Sequence, residues 1–588
     1  MNLRQELERR LTGALRQAGA AEGCPAMVAP SSRPELGDYQ ANGVMAAAKK
    51  SKTNPRQLAE KVLAAADLAD LGTAEVAGPG FINIRIEPSV LARTLDAMAA
   101  DAARIGVTAP GCRQTVVVDY SGPNLAKEMH VGHLRSTIIG DALARTLEFL
   151  GHIVIRQNHV GDWGTQFGML TAYLVLISKA EASKAGSRVL FTKIARLEDL
   201  EEFYRRAKQL FDTDEKFANL SREFVVRLQS GSDPEVRDAW KEFIGLSWQH
   251  CAEVYDALNV TLTRRDTRGE SAYNADLPRV IADLDAKGLL TESEGAKCVF
   301  LDQFKGKEDQ PLPLIVQKSD GGYLYATTDL AGIRYRVGEL HADRVLYVTD
   351  SRQAGHFAYV FAVARAASFA GEASLEHVPF GTMLGKDGKP FKTREGGTVK
   401  LMDLLAEART RALTLVDQKN PDLPAEQKER IARAVGIGAV KYADLSQHRT
   451  SDYIFSWEKM LSLEGNTAPY MQYAYARVRS IRRKQEEAGI ASVDTASIQV
   501  AEPTERALAL KLVQFDEAVQ SVAADCLPNA LCSYLYDLAG TFMSFYECCP
   551  VLKADEPTRS ARLALCDLTA RVIQKGLELL GIEVIEQM

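Results

Sequence analysis

Residues 115–141 read TVVVDYSGPNLAKEMHVGHLRSTIIGD. Thr115-Val116-Val117-Val118 is an unbroken β-branched run, the pattern of a strand covered on both faces of a parallel sheet. Gly122-Pro123 turns the chain, and Leu134, Ile138 and Leu143 then recur at about helical spacing. The stretch therefore predicts a strand that delivers His130 and His133 to a helix N-terminus. Unpaired backbone N–H groups and partial positive charge make such a terminus a phosphate site. The two histidines add donors, and Gly132 lets a nucleotide approach the backbone, so the whole can hold a triphosphate.

Downstream, His152-Ile153-Val154-Ile155-Arg156-Gln157 reads as a second strand, followed by Asn158-His159-Val160-Gly161-Asp162-Trp163-Gly164. Strand, helix, strand implies a right-handed crossover in a parallel sheet, with ligands beyond the carboxyl ends of the strands. Asp162 and Trp163 fit either ligand contact or plain capping and packing. Residues from about 170 to 250 are helical and charge-rich, a solvated face joining the two halves of the sheet. After Asp266–Ser271 comes a β excursion, CVFLDQF and PLPLIVQ, with a hairpin turn at Gly321-Gly322. Tyr323 to Thr327 alternates like a strand, and Asp329 is expected to open the next helix as its N-cap. Arg344-Val345-Leu346-Tyr347-Val348 is a further buried strand, ending in the polar run Thr349 to Gln353.

The flanks differ from this core. Residues 1 to about 110 read as a separate α/β domain: a charged amphipathic first helix ending near Gly19, a helix starting around Pro55, and an alternating strand Phe81–Ile86. From about 425 to the end the pattern is helical. At 588 residues the chain is long enough for three or four domains. Its 46% hydrophobic and 25% charged content is ordinary for a globular protein. No apolar run reaches the length of a membrane span, and nine cysteines without a CxxC pair argue against a disulfide framework or a cysteine zinc site. A net charge of −6 does not mark a dedicated nucleic-acid binder, although one basic face is enough to hold RNA. Reducing cytoplasm is the expected compartment.

His130-Val131-Gly132-His133 has the form of the HIGH signature of class I aminoacyl-tRNA synthetases and related nucleotidylyl transferases. Within SGPNLAKEMHVGHLRSTIIGD the chain resembles the arginyl-tRNA synthetases of bacterial type. That resemblance implies a Rossmann-like parallel-sheet catalytic domain, an N-terminal α/β appendage that contacts tRNA, and a C-terminal all-α bundle that binds the anticodon. The expected boundaries are 1–110, 111–400, 401–464 (a helical linker) and 465–588.

The resemblance also implies site residues. Asn124, Glu270, Tyr325, Asp329 and Gln353 match the family's arginine pocket; a guanidinium offers five donors and no acceptor, so carboxylates and a phenol or carbonyl oxygen suit it. Pro123, His130, Gly132, His133, Lys389 and Lys392 match ATP contacts. Gly381–Leu401 is a glycine- and lysine-rich loop lacking the KMSKS string usual in class I enzymes, with Lys389–Arg394 nearest to it. Arginyl enzymes of this kind tend to carry a lysine before the histidine signature, which Lys127 matches. His130, Gly132, His133, Lys127 and Lys392 are thus the expected catalytic set, with Mg2+ entering through ATP rather than at a protein metal site. Tyr470, Tyr473, Arg477 and Arg479 fit tRNA contact, or equally core tyrosines with solvated arginines. Asn529-Ala530-Leu531-Cys532 takes the DALR position imperfectly. The implied reaction joins arginine to its tRNA at the expense of ATP, in a monomer with no membrane partner.

Overall fold

In this computed structural model, residues 2–185, 200–230, 233–306, 309–391, 399–490 and 497–587 are described. They cluster into two compact units. One comprises Cys112–Thr414 and Ala439–Met460; the other comprises Met1–Gly111, Leu415–Gly438 and Leu461–Met588.

The first unit is built on a five-stranded sheet: β1 (Thr115–Asp119), β2 (Ile153–Val160), β3 (Thr267–Gly269), β4 (Arg344–Tyr347) and β5 (Ser374–His377). Every neighbouring pair is parallel, in the order β5-β4-β1-β2-β3. This is a doubly wound sheet whose order reverses between β1 and β4, where Asp119 faces Tyr347. The reversal opens a crevice outside the carboxyl ends of those two strands. Val116, Val117 and Val118 are fully buried, as the β-branched run requires.

Helix α1 (Leu134–Leu150) follows β1 and is stopped by Gly151 in the left-handed conformation at φ 104°. A Cβ on Gly140 of α1 would lie 2.2 Å from the Tyr120 Cβ, so only glycine allows this helix to seat on the strand end. Helices α2 (Tyr325–Arg334) and α3 (Ala354–Ala366) pack on the sheet through Leu330, Ile333, Val360 and Val363, against Val117 and Val345. The charge-rich region is helical over Thr165–Ala185, Leu200–Thr213, Glu215–Ser230 and Pro234–Ala257, as expected. The β excursion is a three-stranded antiparallel sheet of Leu290–Ser293, Ala296–Lys305 and Pro311–Gln317.

One expectation fails here. Asp329 does not cap α2, which begins at Tyr325 after Leu324. Tyr323 closes the hairpin by bridging Gln317, and the chain turns helical two residues later. Tyr325 and Asp329 consequently stand one turn apart on the same helix face. The region after 425 is also not wholly helical, since Tyr453–Ile454 pairs in parallel with Met383–Leu384.

The second unit joins the two ends of the chain. Its four-stranded antiparallel sheet has the order Val28–Pro30, Tyr39–Ala41, Phe81–Ile86, Gly72–Ala77. Asn54 caps the helix Pro55–Ala65 by accepting from the Arg56 and Gln57 amides, which explains the start at Pro55. Among the described residues, five helices follow between Ala468 and Leu579. The buried Tyr39 hydroxyl donates to Glu517 at 2.6 Å, the Thr108 hydroxyl to Asp516 at 2.6 Å, and Arg571 to the carbonyls of Ala99 and Asp101. The α/β segment and the terminal helices are thus one packed body.

Candidate active site

The histidine signature lies at the switch point. Val131–His133 forms a single 3-10 turn leading into α1, and the two imidazoles cap it reciprocally. The Gly132 amide donates to His130 Nδ1 at 3.0 Å, and the His130 amide donates to His133 Nδ1 at 3.1 Å. A backbone N–H can only donate, so both Nδ1 atoms are acceptors and the proton of each neutral ring sits on Nε2. Burial and the neighbouring His130 ring push His133 down to about 3, which keeps it neutral at physiological pH. The ring centroids are 4.1 Å apart. A Cβ on Gly132 would lie 2.7 Å from His130 Cε1, so this glycine makes room for the capping ring as well as for a ligand.

The turn between β1 and the signature is held from beneath. Ser121 takes a left-handed φ of 72° and its hydroxyl is 2.8 Å from that of Tyr255, while the Gly122 amide donates to Asn158. Pro123 is buried, and its carbonyl accepts from the Gly161 amide. Asn124 Oδ1 accepts from the Ala126 amide at 3.0 Å, which orients the side chain and leaves Nδ2 as donor. Lys127 is exposed, its ammonium 4.7 Å from the ring centre of Tyr204 on the helical insertion. The far end of the lysine loop is pinned to the signature: the Val131 amide donates to Val399, the Leu401 amide donates to Met129, and Lys400 pairs with Glu128 at 3.1 Å. Lys389 lies exposed in a tight hairpin closed by the Leu384–Pro390 bridge. Lys392 lies outside the described residues.

Across the crevice three carboxylates converge. Glu270 follows β3, is half-buried and has no hydrogen-bond or ion-pair partner among the described residues. Burial first, and then the charges of Asp162 and Asp329, push its carboxyl up to about 7. Asp162, following β2, accepts from the Ser271 amide at 2.9 Å and hydroxyl at 2.6 Å, and burial raises it too. A Cβ on Gly269 would lie 2.0 Å from Asp162 Oδ2, so glycine is required beside it. Asp329 on α2 is 2.6 Å from His356 Nε2. Tyr325, one turn before it on the same helix face, is 72% exposed. Gln353 ends the turn after β4 and is also exposed. An acidic recess with an unpartnered carboxylate suits a cation of guanidinium shape.

The expected tRNA residues lie on the helix Ala468–Glu487 of the other unit. Tyr475 is buried and donates to Glu586, and the part-exposed Arg479 and Arg483 bond to the same glutamate. Arg477 bonds to the Tyr473 hydroxyl at 3.0 Å and stands 5.1 Å from the Tyr546 ring, on the exposed side. Tyr470 walls a surface cleft of about 510 Å³ with Tyr536, Lys511, Thr504, Asp537 and Ser544.

Sequence reading missed His356 and left Asp162 undecided. A single histidine on a helix carries no signal, whereas the run Gly161-Asp162-Trp163-Gly164 beyond a strand marked the right place.

The family described as "tRNA synthetases class I (R), catalytic domain" matches residues 95–457. The "Arginyl tRNA synthetase N terminal domain" matches residues 4–86, and the "DALR anticodon binding domain" residues 471–588. The chain is 59% identical to an arginine–tRNA ligase of Hahella chejuensis and 56% to one of Chromobacterium violaceum, covering 100% of both chains in each case. The arginyl-tRNA synthetase structure of Plasmodium falciparum superimposes with a TM-score of 0.84 at 29% identity, covering 100% of this chain and 99% of that one. That of Thermus thermophilus gives 0.81 at 28%, covering 100% of each. With the histidine signature at the switch point and matches over its full length, this chain belongs to the arginyl-tRNA synthetases, a family of class I aminoacyl-tRNA synthetases.

Proposed function

We propose that this chain is an arginine–tRNA ligase working in two steps. The arginine carboxylate attacks the α-phosphorus of ATP in line, releasing pyrophosphate and forming arginyl-adenylate. The terminal ribose hydroxyl of tRNA then attacks the arginyl carbonyl carbon and AMP departs. No side chain acts as nucleophile; catalysis is positioning plus charge stabilisation. The observation that carries the reading is the unpartnered Glu270, sharing an acidic recess with Asp162 and Asp329.

In this reading Glu270, Asp329 and Tyr325 take the guanidinium, while Asn124 and Gln353 orient the α-substituents. The Nε2–H donors of His130 and His133 meet the phosphates beside Pro123 and Gly132, and Lys127, Lys389 and Lys392 supply positive charge as the pyrophosphate leaves. Magnesium arrives as part of the Mg·ATP substrate. Tyr470, Tyr473, Arg477 and Arg479 stack on and pair with tRNA at the terminal bundle; Glu586 holds the Arg479 guanidinium in place. The enzyme acts in the cytoplasm as a monomer, and among the described residues no helix is long and apolar enough to cross a membrane.

The test is ATP–pyrophosphate exchange with each of the twenty amino acids, with and without total tRNA. Exchange with arginine alone, and only when tRNA is present, is expected. Exchange with another amino acid, or none at all, refutes the reading.

A further inference from the structure

We infer that His356 is a positioning residue that fixes the plane of the Asp329 carboxylate for the incoming guanidinium. This rests on the arginine reading of the pocket given above. His356 lies in the first turn of α3, three residues after Gln353, so the segment that ends β4 presents both residues. Its Nε2 lies 2.6 Å from Asp329 Oδ2, the length of a strong, charge-assisted contact. Among the described residues neither oxygen of Asp329 has another hydrogen-bond partner, so Oδ1 is left for a ligand.

The need for such a contact follows from where Asp329 stands. It is one turn into α2, part-exposed, and within electrostatic reach of Glu270. A carboxylate there is free to rotate about its last torsion, which is broad and roughly two-fold. Repulsion from Glu270 would turn it toward water. A donor bound to one oxygen removes that freedom and offsets part of the repulsion. The imidazole is itself held: its ring lies edge-on to Phe357, centroids 5.4 Å apart, and Phe357 is buried and stacked on His377 at 5.1 Å. A planar guanidinium rewards a carboxylate fixed in plane far more than a point-like ammonium does. The His356 contact therefore favours arginine over lysine, and a charged guanidinium over a neutral ureido side chain.

The experiment measures arginine-dependent, tRNA-stimulated pyrophosphate exchange in the full-length wild type and in His356→Ala and His356→Gln. Wild-type exchange with arginine tests the functional reading, and the variants test only the positioning. His356→Ala is expected to raise the KM for arginine by about tenfold or more, the scale of one charge-assisted hydrogen bond. The KM for ATP should stay within about twofold and kcat within about threefold, since the contact acts in ground state and transition state alike. His356→Gln, whose side-chain amide reaches the same oxygen, should recover most of the loss. An unchanged arginine KM in His356→Ala overturns the assignment, as does a parallel rise in the ATP KM or a glutamine variant no better than alanine. If His356→Ala fails to fold, His356→Asn, too short to reach Asp329, makes the same comparison.

Discussion

Arginine binding to a recess containing Glu270 must be linked to proton release. In the empty pocket that carboxyl sits at about 7, because it is buried and faces Asp162 and Asp329. A guanidinium binds the ionised form, so a raised carboxyl must give up its proton on binding, and affinity increases with pH. With one such group, Glu270 is about 90% protonated at pH 6, about half at pH 7 and about 10% at pH 8. The apparent Kd for arginine should then fall about fivefold from pH 6 to 7 and about twofold from 7 to 8. Calorimetric titration in two buffers of different ionisation enthalpy counts the protons directly, with about half a proton released at pH 7. The other titratable groups facing the recess are Asp162, whose carboxyl is also raised, His159, held neutral by burial, and His356. Glu270→Gln separates them: it should weaken binding at every pH and abolish the slope. A flat profile in the wild type, or an unchanged slope in Glu270→Gln, refutes the reasoning.

The remaining expectations concern the signature and its foundations. Gly132→Ala places a Cβ 2.7 Å from the His130 ring; displacing that cap should lower exchange by about a hundredfold while the thermal unfolding midpoint stays within error. Lys127→Ala should reduce arginine activation more than Lys392→Ala in the same exchange assay, and equal or reversed losses would overturn the division of roles proposed for them. Arg135 and Asp444 form a fully buried ion pair at 3.0 Å, so Asp444→Ala leaves a guanidinium uncompensated and should cost about 3–5 kcal/mol in denaturant unfolding. Because His133 sits at about 3, exchange should show no acid limb assignable to that ring above about pH 5, which a pH–rate profile of His133→Asn against wild type would check.

The parts legible in the sequence were those where one physical requirement dominates. A covered parallel strand needs a β-branched run, and Thr115–Val118 supplied it; a nucleotide at a helix start needs a small residue and donors, as at His130–His133. Alternation misled at Tyr323–Thr327, where Tyr323 belongs to a hairpin and Tyr325 already begins a helix. Thr327 favours a strand by β-branching, yet it is helical with its hydroxyl donating to the Val316 carbonyl, a tertiary contact that overrides propensity. The Asp329–His356 contact spans 27 positions and two helices, so neither periodicity nor spacing could announce it. The arginines around Arg477 looked uniform in sequence; the carboxylate that separates Arg479 and Arg483 from Arg477 is Glu586, more than a hundred positions away.

The packed body formed by the two chain ends has a consequence for biosynthesis. Tyr39 waits for Glu517 across 478 positions. At about 5–20 residues per second, the ribosome takes about 25–100 s between making the two. Over that interval the nascent amino-terminal segment has its sheet and helices but not the helices that cover it. Its apolar side is then open to chaperones or to aggregation, and pausing or truncation late in the message would leave it stranded.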